Sequence, residues 1–207
     1  MTDPADDQHL LARLRAGDED AFTTLVRQQH GALRSFVRTF VASPATADEV
    51  VQETWLAVLT GLSRFEGRSS LRSWIFSIAA NQARRRAVRD GRTILFSDFA
   101  PAANEDEPAV DPSRFNAAGY WHQPPRPWDD FTPERLAASQ QIRTALAAAL
   151  DELPPAQRTV VILRDVAGCT AVEACNVLGI SETNQRVLLH RGRARLRRLL
   201  EPVMERR

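Results

Sequence analysis

The chain has 207 residues, of which 43% are hydrophobic and 26% are charged, and its formal net charge is +1. This is ordinary globular composition, and the length is enough for one or two small domains, of which we expect two. The sequence has no apolar run approaching about 20 residues and no apolar signal-peptide core, which argues against membrane insertion and predicts a cytoplasmic location.

The net charge conceals three blocks of opposite sign. Residues 64–92 carry eight Arg and two acidic residues, a net charge of +6, and residues 181–207 carry eight Arg and three Glu, a net charge of +5. Between them, residues 97–135 carry eight acidic residues and three Arg, a net charge of −5. The chain therefore consists of two basic modules and an acidic connector.

Two helices are predicted before residue 43. Residues 8–16 form a short helix that ends at Gly17, and Asp18 begins a longer one. Apolar residues recur along the longer helix with a helical period and form its predicted core face: Phe22, Leu25, Val26, Leu33, Phe36, Val37 and Phe40. His30 is expected at the surface.

The next predicted helix follows the break at Ser43-Pro44 and has two distinct faces. Its predicted buried face consists of Val51, Trp55, Val58, Leu59 and Leu62. Its other face combines acidic and amide side chains with one leucine: Glu49, Gln52, Glu53 and Leu56. From the pattern alone, this acidic strip is either a solvated helix face or a docking surface for a basic partner helix.

A basic helix, LRSWIFSIAANQARRRAVRDGR, follows the loop RFEGRSS. Its predicted inner face consists of Leu71, Trp74, Ile75, Ile78 and Ala79. Its predicted outer face consists of Ser73, Ser77, Asn81, Arg84 and Arg85. Asn hydrogen-bonds base edges and Arg binds phosphates, so the outer face is suited to nucleic acid. In the adjoining loop, Phe65 and Gly67 are candidates to receive an unstacked base.

Residues 97–133 are predicted to form a linker, because they hold seven of the 12 prolines of the chain and several acidic clusters. The aromatic segment 119–131 within it is expected to dock on this chain or on a partner. The expected domains are residues 1–96 and 134–207.

The second domain is predicted to contain two helices beneath a helix-turn-helix. Apolar residues of the two helices form its predicted core: Leu136, Ile142, Leu146, Leu150, Leu153, Val160, Val161 and Leu163. Residues 170–200 then read as a short helix, a turn at Gly179-Ile180, a Ser181 N-cap and a long second helix.

The long second helix has a basic face and an apolar face. The basic face consists of Arg186, His190, Arg193 and Arg197, and the opposite face consists of Leu188, Gly192, Leu196 and Leu199. Arginines on an isolated helix are typical of a solvated surface, but the glycine turn before this one favours insertion into a DNA major groove.

Four segments, in this order, resemble the extracytoplasmic-function (ECF) sigma factors, the minimal specificity subunits of bacterial RNA polymerase. They are DEVVQETWLAVL, RFEGRSSLRSWIFSIAANQARRR, LPPAQRTVVILRDVAG and the LGIS turn. The resemblance implies an all-α protein of two small helical domains joined by an acidic Pro-rich linker. It implies that residues 1–96 bind core polymerase and melt the minus-ten element, while residues 134–207 recognise the minus-thirty-five element.

Together with the faces described above, the resemblance assigns residues to three contacts. Core polymerase is expected to contact Asp48, Glu49, Gln52, Glu53 and Leu56. The minus-ten DNA is expected to contact Phe65, Gly67, Trp74, Ser77, Asn81, Arg84 and Arg85. The minus-thirty-five DNA is expected to contact Ser181, Arg186, Val187, His190, Arg191 and Arg193. The expected partners are core RNA polymerase and promoter DNA, with an anti-sigma factor by family habit.

The second helix of the helix-turn-helix departs from the common family pattern over residues 184–188. Gln185 stands where the family usually has a buried Val, and Val187 stands where it usually has a polar contact. The promoter sequence that other members recognise therefore cannot be transferred to this chain.

No catalytic centre, metal site or cofactor is expected. The sequence contains no P-loop and no GxSxG elbow, and Cys169 and Cys175 are too few for a zinc site, so both are expected to be buried, reduced thiols. Two alternatives to the sigma factor are a LuxR-like helix-turn-helix regulator that does not bind core polymerase and a structural adaptor. The first leaves the acidic strip and Asn81 unexplained, and the charge blocks argue against the second.

Overall fold

The computed structural model describes the backbone of residues 4–91 and 140–205. The first range contains α1 (Pro4–Arg15), α2 (Glu19–Val37), α3 (Pro44–Gly61), a 3-10 turn (Leu62–Arg64) and α4 (Leu71–Arg89). The second contains α5 (Gln140–Asp151), α6 (Pro155–Val161), a π-helical turn (Ile162–Val166), α7 (Ala171–Leu178) and α8 (Glu182–Glu205). The predicted all-α class with two helical regions is confirmed.

The predicted linker and its aromatic segment 119–131 lie outside the described residues. Within the described ranges, none of the helices combines the length and the apolar character that a membrane span requires.

Side-chain caps fix where three helices of the N-terminal region begin. A side-chain oxygen of Asp18 accepts a hydrogen bond from the Ala21 amide at 2.9 Å. The hydroxyl groups of Ser43 and Ser70 do the same for α3 and α4, at 3.0 and 3.1 Å. Each cap satisfies a backbone N–H group that the first turn leaves without a helical partner. The predicted starts at Asp18 and at Ser43-Pro44 are confirmed.

The core of the N-terminal region is built around Phe36, which is fully buried. Its ring packs edge-on against the rings of Phe40 and Phe76, at centroid distances of 5.1 and 5.3 Å. The predicted core face of α2 is confirmed, since each of its residues is buried or packs against the buried cluster. The prediction for Leu59 is wrong, because its side chain is 50% exposed at the edge of the buried face of α3.

In the C-terminal region, α8 crosses α6 at Gly192. A Cβ atom at Gly192 would lie 2.7 Å from Cγ2 of Val161 and 3.3 Å from the carbonyl oxygen of Gln157, so the close crossing requires a glycine. Of the predicted core, Leu153, Val160, Val161 and Leu163 are buried and Leu150 packs against them. The prediction for Leu146 is wrong, since it is 38% exposed; the side chains of Leu136 and Ile142 lie outside the described residues.

The two helical regions contact each other. Helix α4 packs against α7, and α2 packs against the π-helical turn. Buried apolar residues form one continuous cluster that includes Phe36 on one side and Leu163 on the other. The sequence predicts two regions but gives no indication of this contact.

Candidate nucleic-acid interface

The acidic strip of α3 faces outward, as the helical period predicts. Glu49, Gln52, Glu53 and Leu56 are all exposed, and Leu56 exposes 63% of its surface. A large apolar side chain beside two carboxylates provides both the apolar and the charged contact that a basic partner helix needs. In the described part of the chain, the strip is therefore accessible to a partner.

Asp48 lies at the edge of the strip and pairs with α2. Its carboxylate accepts two hydrogen bonds from the Arg34 guanidinium, at 2.5 and 3.2 Å. These hydrogen bonds lower the pKa of Asp48 below its ordinary value and raise the pKa of Arg34. Asp48 is therefore negatively charged, and its carboxylate contacts both Arg34 of α2 and solvent.

Two side chains of α4 attach the acidic strip to the basic helix. Arg86 binds the carboxylate of Glu49 at 2.7 Å, and the amide nitrogen of Gln82 donates to the carbonyl oxygen of Glu53 at 3.3 Å. The amide oxygen of Gln82 also lies 2.6 Å from the hydroxyl of buried Thr54. The strip and the basic helix thus form one unit, a relationship that the sequence patterns do not reveal.

The outer face of α4 is only partly open. Asn81 and Arg85 are exposed, and Ser77 is half-buried and donates to the Ser73 carbonyl at 2.8 Å. Ser73 itself is 3% exposed, so its predicted place on an open outer face is wrong. Helix α4 is also buried outside its predicted inner face, where small side chains let neighbouring helices approach closely. The buried residues there are Ala80, Ala83 and Ala87.

The two aromatic residues expected near an unstacked base pack against each other. The rings of Phe65 and Trp74 lie 4.9 Å apart with 37° between their planes, and Phe65 is 7% exposed. Arg15 donates a hydrogen bond to the Phe65 carbonyl. Gly67 is exposed and has a φ of 72°, a backbone conformation that favours glycine. In this structure a base would reach the loop near Gly67 before it reached the Phe65 ring.

Arg84 points to the C-terminal region of the chain. Its guanidinium donates to the carbonyl oxygens of Val177 and Leu178 at 3.1 and 3.3 Å, and it lies 6.0 Å from the ring centroid of Phe40. Burial lowers the pKa of Arg84 from its ordinary value. The predicted DNA-binding side chain therefore has protein partners in this structure.

The helix-turn-helix has the predicted turn. Thr170 and Glu173 form reciprocal hydrogen bonds that start α7, with the Glu173 carboxylate 2.7 Å from the Thr170 amide. Gly179 ends α7 in the left-handed conformation, with a φ of 72°. Ser181 then caps α8 by accepting from the Asn184 amide at 3.2 Å.

The long helix α8 has an exposed face and a packed face. Arg186, Val187 and His190 are exposed, and Arg191 is half-buried. On the packed side, the buried residues are Asn184, Gln185, Leu188, Leu189 and Gly192. Gln185 is thus buried, and Val187 is exposed in the middle of the candidate DNA-binding face.

Arg193 binds a carboxylate of its own chain. Its guanidinium contacts Asp165 of the π-helical turn at 2.9 Å, and this hydrogen bond raises the pKa of Arg193. Arg193 therefore helps to hold α8 against the turn before it.

The two cysteines are buried and unpaired. Burial raises the pKa of the Cys169 thiol to about 12, which keeps it protonated and unreactive at neutral pH. Among the described side chains, no group of three or more His, Cys, Asp or Glu is placed to hold a metal ion.

Both helical regions match known families. Residues 25–93 match Sigma-70 region 2 and residues 143–196 match Sigma-70, region 4. The chain is 30% identical over 202 residues to the RNA polymerase sigma factor NccH of Alcaligenes xylosoxydans xylosoxydans, covering 97% of this chain and 98% of NccH. It is 26% identical over 206 residues to the ECF RNA polymerase sigma-E factor of Escherichia coli (strain K12), covering all of both chains.

A solved structure has a similar fold. It is the sigma factor RpoE in complex with the anti-sigma factor NepR from Bartonella quintana, with a TM-score of 0.54, 21% identity and coverage of 87% of this chain and 96% of that one. At this level of identity the similarity concerns the fold alone.

Proposed function

Because the chain belongs to the ECF sigma factors of the sigma-70 family, which initiate transcription with core RNA polymerase at promoters, we propose how its surfaces divide that work. The family excludes the LuxR-like alternative, since residues 25–93, which that alternative leaves unexplained, match Sigma-70 region 2. The proposed functional units keep the expected boundaries, residues 1–96, 97–133 and 134–207.

The acidic strip of α3 binds core polymerase in this proposal. The observation that carries it is the pairing of an exposed Leu56 with exposed Glu49, Gln52 and Glu53 on a helix that Arg86 fixes against α4. Purified core polymerase tests the proposal directly: the chain should be retained on immobilised core and should direct run-off transcription from its promoters. Binding to duplex DNA without any binding to core would contradict it.

The exposed side of α4 contacts the minus-ten element. Asn81 and Arg85 are both accessible, and the segment around them, residues 64–92, carries a net charge of +6 from eight Arg and two acidic residues. An amide can hydrogen-bond a base edge while guanidinium groups neutralise phosphates. Unstacking a base step costs a few kcal/mol, which these contacts and the loop around Gly67 would offset.

Asn81→Ala is expected to reduce the yield of open complex by roughly threefold to tenfold, the range for the loss of one hydrogen bond. The affinity for core polymerase should not change, because Asn81 is exposed on α4 and is not part of the acidic strip of α3. Fluorescence of a base analogue in the minus-ten element measures opening, and a pull-down measures core binding. Gln28→Ala, which also removes a side-chain amide at an exposed position of α2, is the control. An equal loss of core affinity in Asn81→Ala would refute the assignment.

The exposed face of α8 reads the minus-thirty-five element. Arg186, Val187 and His190 are among its exposed residues, and Ser181 with the amide groups of the first turn provides a phosphate contact. The exposed Val187 favours an apolar contact, such as the methyl group of thymine, where the family more often has a polar one.

Arg186→Ala is expected to weaken binding of minus-thirty-five duplex by about 1–3 kcal/mol if the guanidinium contacts guanine in a bidentate manner. Fluorescence anisotropy at a fixed salt concentration measures the affinity, and a panel of single-base variants measures the specificity. Arg27→Ala, which removes the same charge from an exposed site on α2, should change neither quantity appreciably. If Arg186→Ala leaves both affinity and base preference unchanged, the assignment of contacts along α8 is wrong.

Two further parts of the proposal concern location and regulation. We place the protein in the cytoplasm, where core polymerase and promoter DNA are found. We also propose an anti-sigma factor as a partner, which is supported by the similarity in fold to a sigma factor that was solved in such a complex.

A further inference from the structure

The side-chain amide of Gln82 joins α4 to α3 at the seam between the basic helix and the acidic strip. Its nitrogen donates to the carbonyl oxygen of Glu53 at 3.3 Å, and its oxygen accepts from the hydroxyl of Thr54 at 2.6 Å. Glu53 and Thr54 are consecutive residues of α3, so both ends of one planar amide are bound to the same turn. Two hydrogen bonds from one planar group fix its direction as well as its distance.

The partners of Gln82 keep other hydrogen bonds without it. Glu53 lies in the interior of α3, where each carbonyl oxygen accepts from the N–H group four residues further on. The Thr54 hydroxyl also lies 2.7 Å from the carbonyl oxygen of Val50. Gln82 itself is half-buried and lines an open groove with Arg85. Loss of the bridge therefore leaves no buried polar group without a partner, and it should cost little stability.

The apolar contacts of α4 control its rotation only weakly at this point. The buried residues of α4 after Phe76 are all alanines: Ala79, Ala80, Ala83 and Ala87. Alanine forms a shallow ridge, which interlocks with a facing helix less firmly than a larger side chain does. A hydrogen-bonded bridge between side chain and neighbouring helix, in contrast, specifies one arrangement. The bridge from Gln82 therefore fixes the rotation of α4 about its own axis.

A second contact between the two helices tolerates more movement. Arg86, one turn after Gln82, binds the carboxylate of Glu49 at 2.7 Å and also contacts Asp90 on its own helix. Glu49 is 56% exposed, so this ion pair is partly solvated, and the long side chain of Arg86 can follow a small rotation. The short amide bridge is the more restrictive of the two contacts.

The rotation of α4 decides where Asn81 points. Asn81 directly precedes Gln82, and successive residues point about 100° apart around a helix, so the direction of one sets the direction of the other. A helix with its side chains has a radius of about 5–6 Å, so a rotation of about 10° moves the Asn81 amide by about 1 Å. Hydrogen bonds require distances of about 2.7–3.2 Å, so a shift of this size is enough to lose a base contact.

We propose that Gln82 is a positioning residue for promoter opening: its amide fixes α4 against α3 so that Asn81 meets a minus-ten base while α3 is bound to core polymerase. The inference rests on the proposed function, in which the acidic strip binds polymerase and Asn81 binds DNA. Gln82 acts through Asn81 and does not itself contact the DNA. Its loss leaves each surface intact and disturbs only their relative orientation, which matters when polymerase and promoter are bound together.

Gln82→Met tests this role, because Met is similar in length and volume but forms neither hydrogen bond. The yield of open complex with core polymerase, measured with a base analogue in the minus-ten element, should fall roughly threefold to tenfold, as for the loss of one hydrogen bond. The affinity for core polymerase and the midpoint of urea unfolding should not change. Gln28→Met, at an exposed position of α2, is the matched control and should alter none of the three quantities. Normal opening in Gln82→Met, or an equal loss of core affinity, would overturn the proposal.

Substitutions of Thr54 separate the bridge from the packing around it. Thr54→Val keeps the volume of this fully buried side chain and removes its hydroxyl, so it should reduce opening as well. Thr54→Ser keeps the hydroxyl and removes a buried methyl group, so it should lower stability and leave opening unchanged at a temperature where both variants are folded. If opening follows stability instead of the hydroxyl, the role of the bridge is structural alone and the proposal is wrong.

A double variant shows whether Gln82 acts through Asn81. In an Asn81→Ala background, Gln82→Met should change opening by less than about twofold, because no amide is left to misplace. Full additivity of the two losses would contradict the positioning role. Normal opening in Asn81→Ala would contradict the proposed function of α4, and this inference with it. A defective Asn81→Ala beside a normal Gln82→Met would leave the proposed function in place and refute the positioning role alone.

Discussion

Gln52→Arg combined with Glu53→Arg is expected to abolish promoter-directed transcription, because the affinity for core polymerase should fall about 100-fold or more. Both side chains are exposed on the acidic strip of α3, and the two substitutions together change its charge by three units. Like charges brought together across an interface cost several kcal/mol, and each 1.4 kcal/mol is about a tenfold change in affinity. Titration of labelled protein with core polymerase measures the loss.

The same charge change at a distant site separates the effect of altering the acidic strip from the effect of altering the net charge of the protein. Gln28→Arg combined with Glu152→Arg substitutes the same residue types at an exposed position of α2 and at the exposed residue that follows α5. This control should bind core nearly as well as the unmodified chain. The strip variant should still bind a minus-thirty-five duplex, since α8 is unchanged. If the strip variant binds core polymerase normally, or if the control loses as much affinity for core polymerase as the strip variant does, α3 is not the polymerase-binding surface.

Phe36→Ala should produce the largest loss of stability, about 3–5 kcal/mol. Phe36 is fully buried, and its ring fills the space between Phe40 and Phe76 at centroid distances of 5.1 and 5.3 Å. Removing it leaves a cavity that two large aromatic neighbours cannot close. Small domains are stable by only about 5–15 kcal/mol, so a sizeable fraction of the variant should be unfolded near physiological temperature.

Urea denaturation followed by circular dichroism measures this loss. His30→Ala is the control, because His30 is exposed on the same helix and its truncation should change stability by no more than about 0.5 kcal/mol. A loss below about 1 kcal/mol in Phe36→Ala would mean that Phe36 does not occupy the centre of the core.

The interior of α2 was predictable because its apolar residues recur with one helical period and only one face is buried. Prediction was weaker for α3 and α5, where Leu59 and Leu146 lie on apolar stripes but are 50% and 38% exposed. Periodicity gives the direction in which a side chain points along its helix. It does not give the width of the surface that covers the helix, which depends on the neighbouring elements.

Ser73 shows that a polar residue predicted to be exposed can also be buried. It is a small polar residue on a face with Asn81 and Arg85, and the pattern places it toward solvent. In the structure it is 3% exposed, because α4 is an alanine-rich helix that packs against both α3 and α7. Small side chains permit close approach on several faces, and polarity alone does not reveal which of those faces acquires a neighbour.

The sequence alone determined the features that depend on nearby residues: the helices, the Ser181 cap and the glycine turn before α8, the acidic strip and the two basic modules. These follow from helical period, capping chemistry and charge, which act over a few residues. Only the tertiary structure decided that Arg84 binds the end of α7, because its partner Val177 is 93 residues away. Likewise, the burial of Phe65 against Trp74 and the pairing of Arg193 with Asp165 depend on tertiary packing. Contacts between distant segments depend on how the helices are arranged, and local periodicity carries no information about that arrangement.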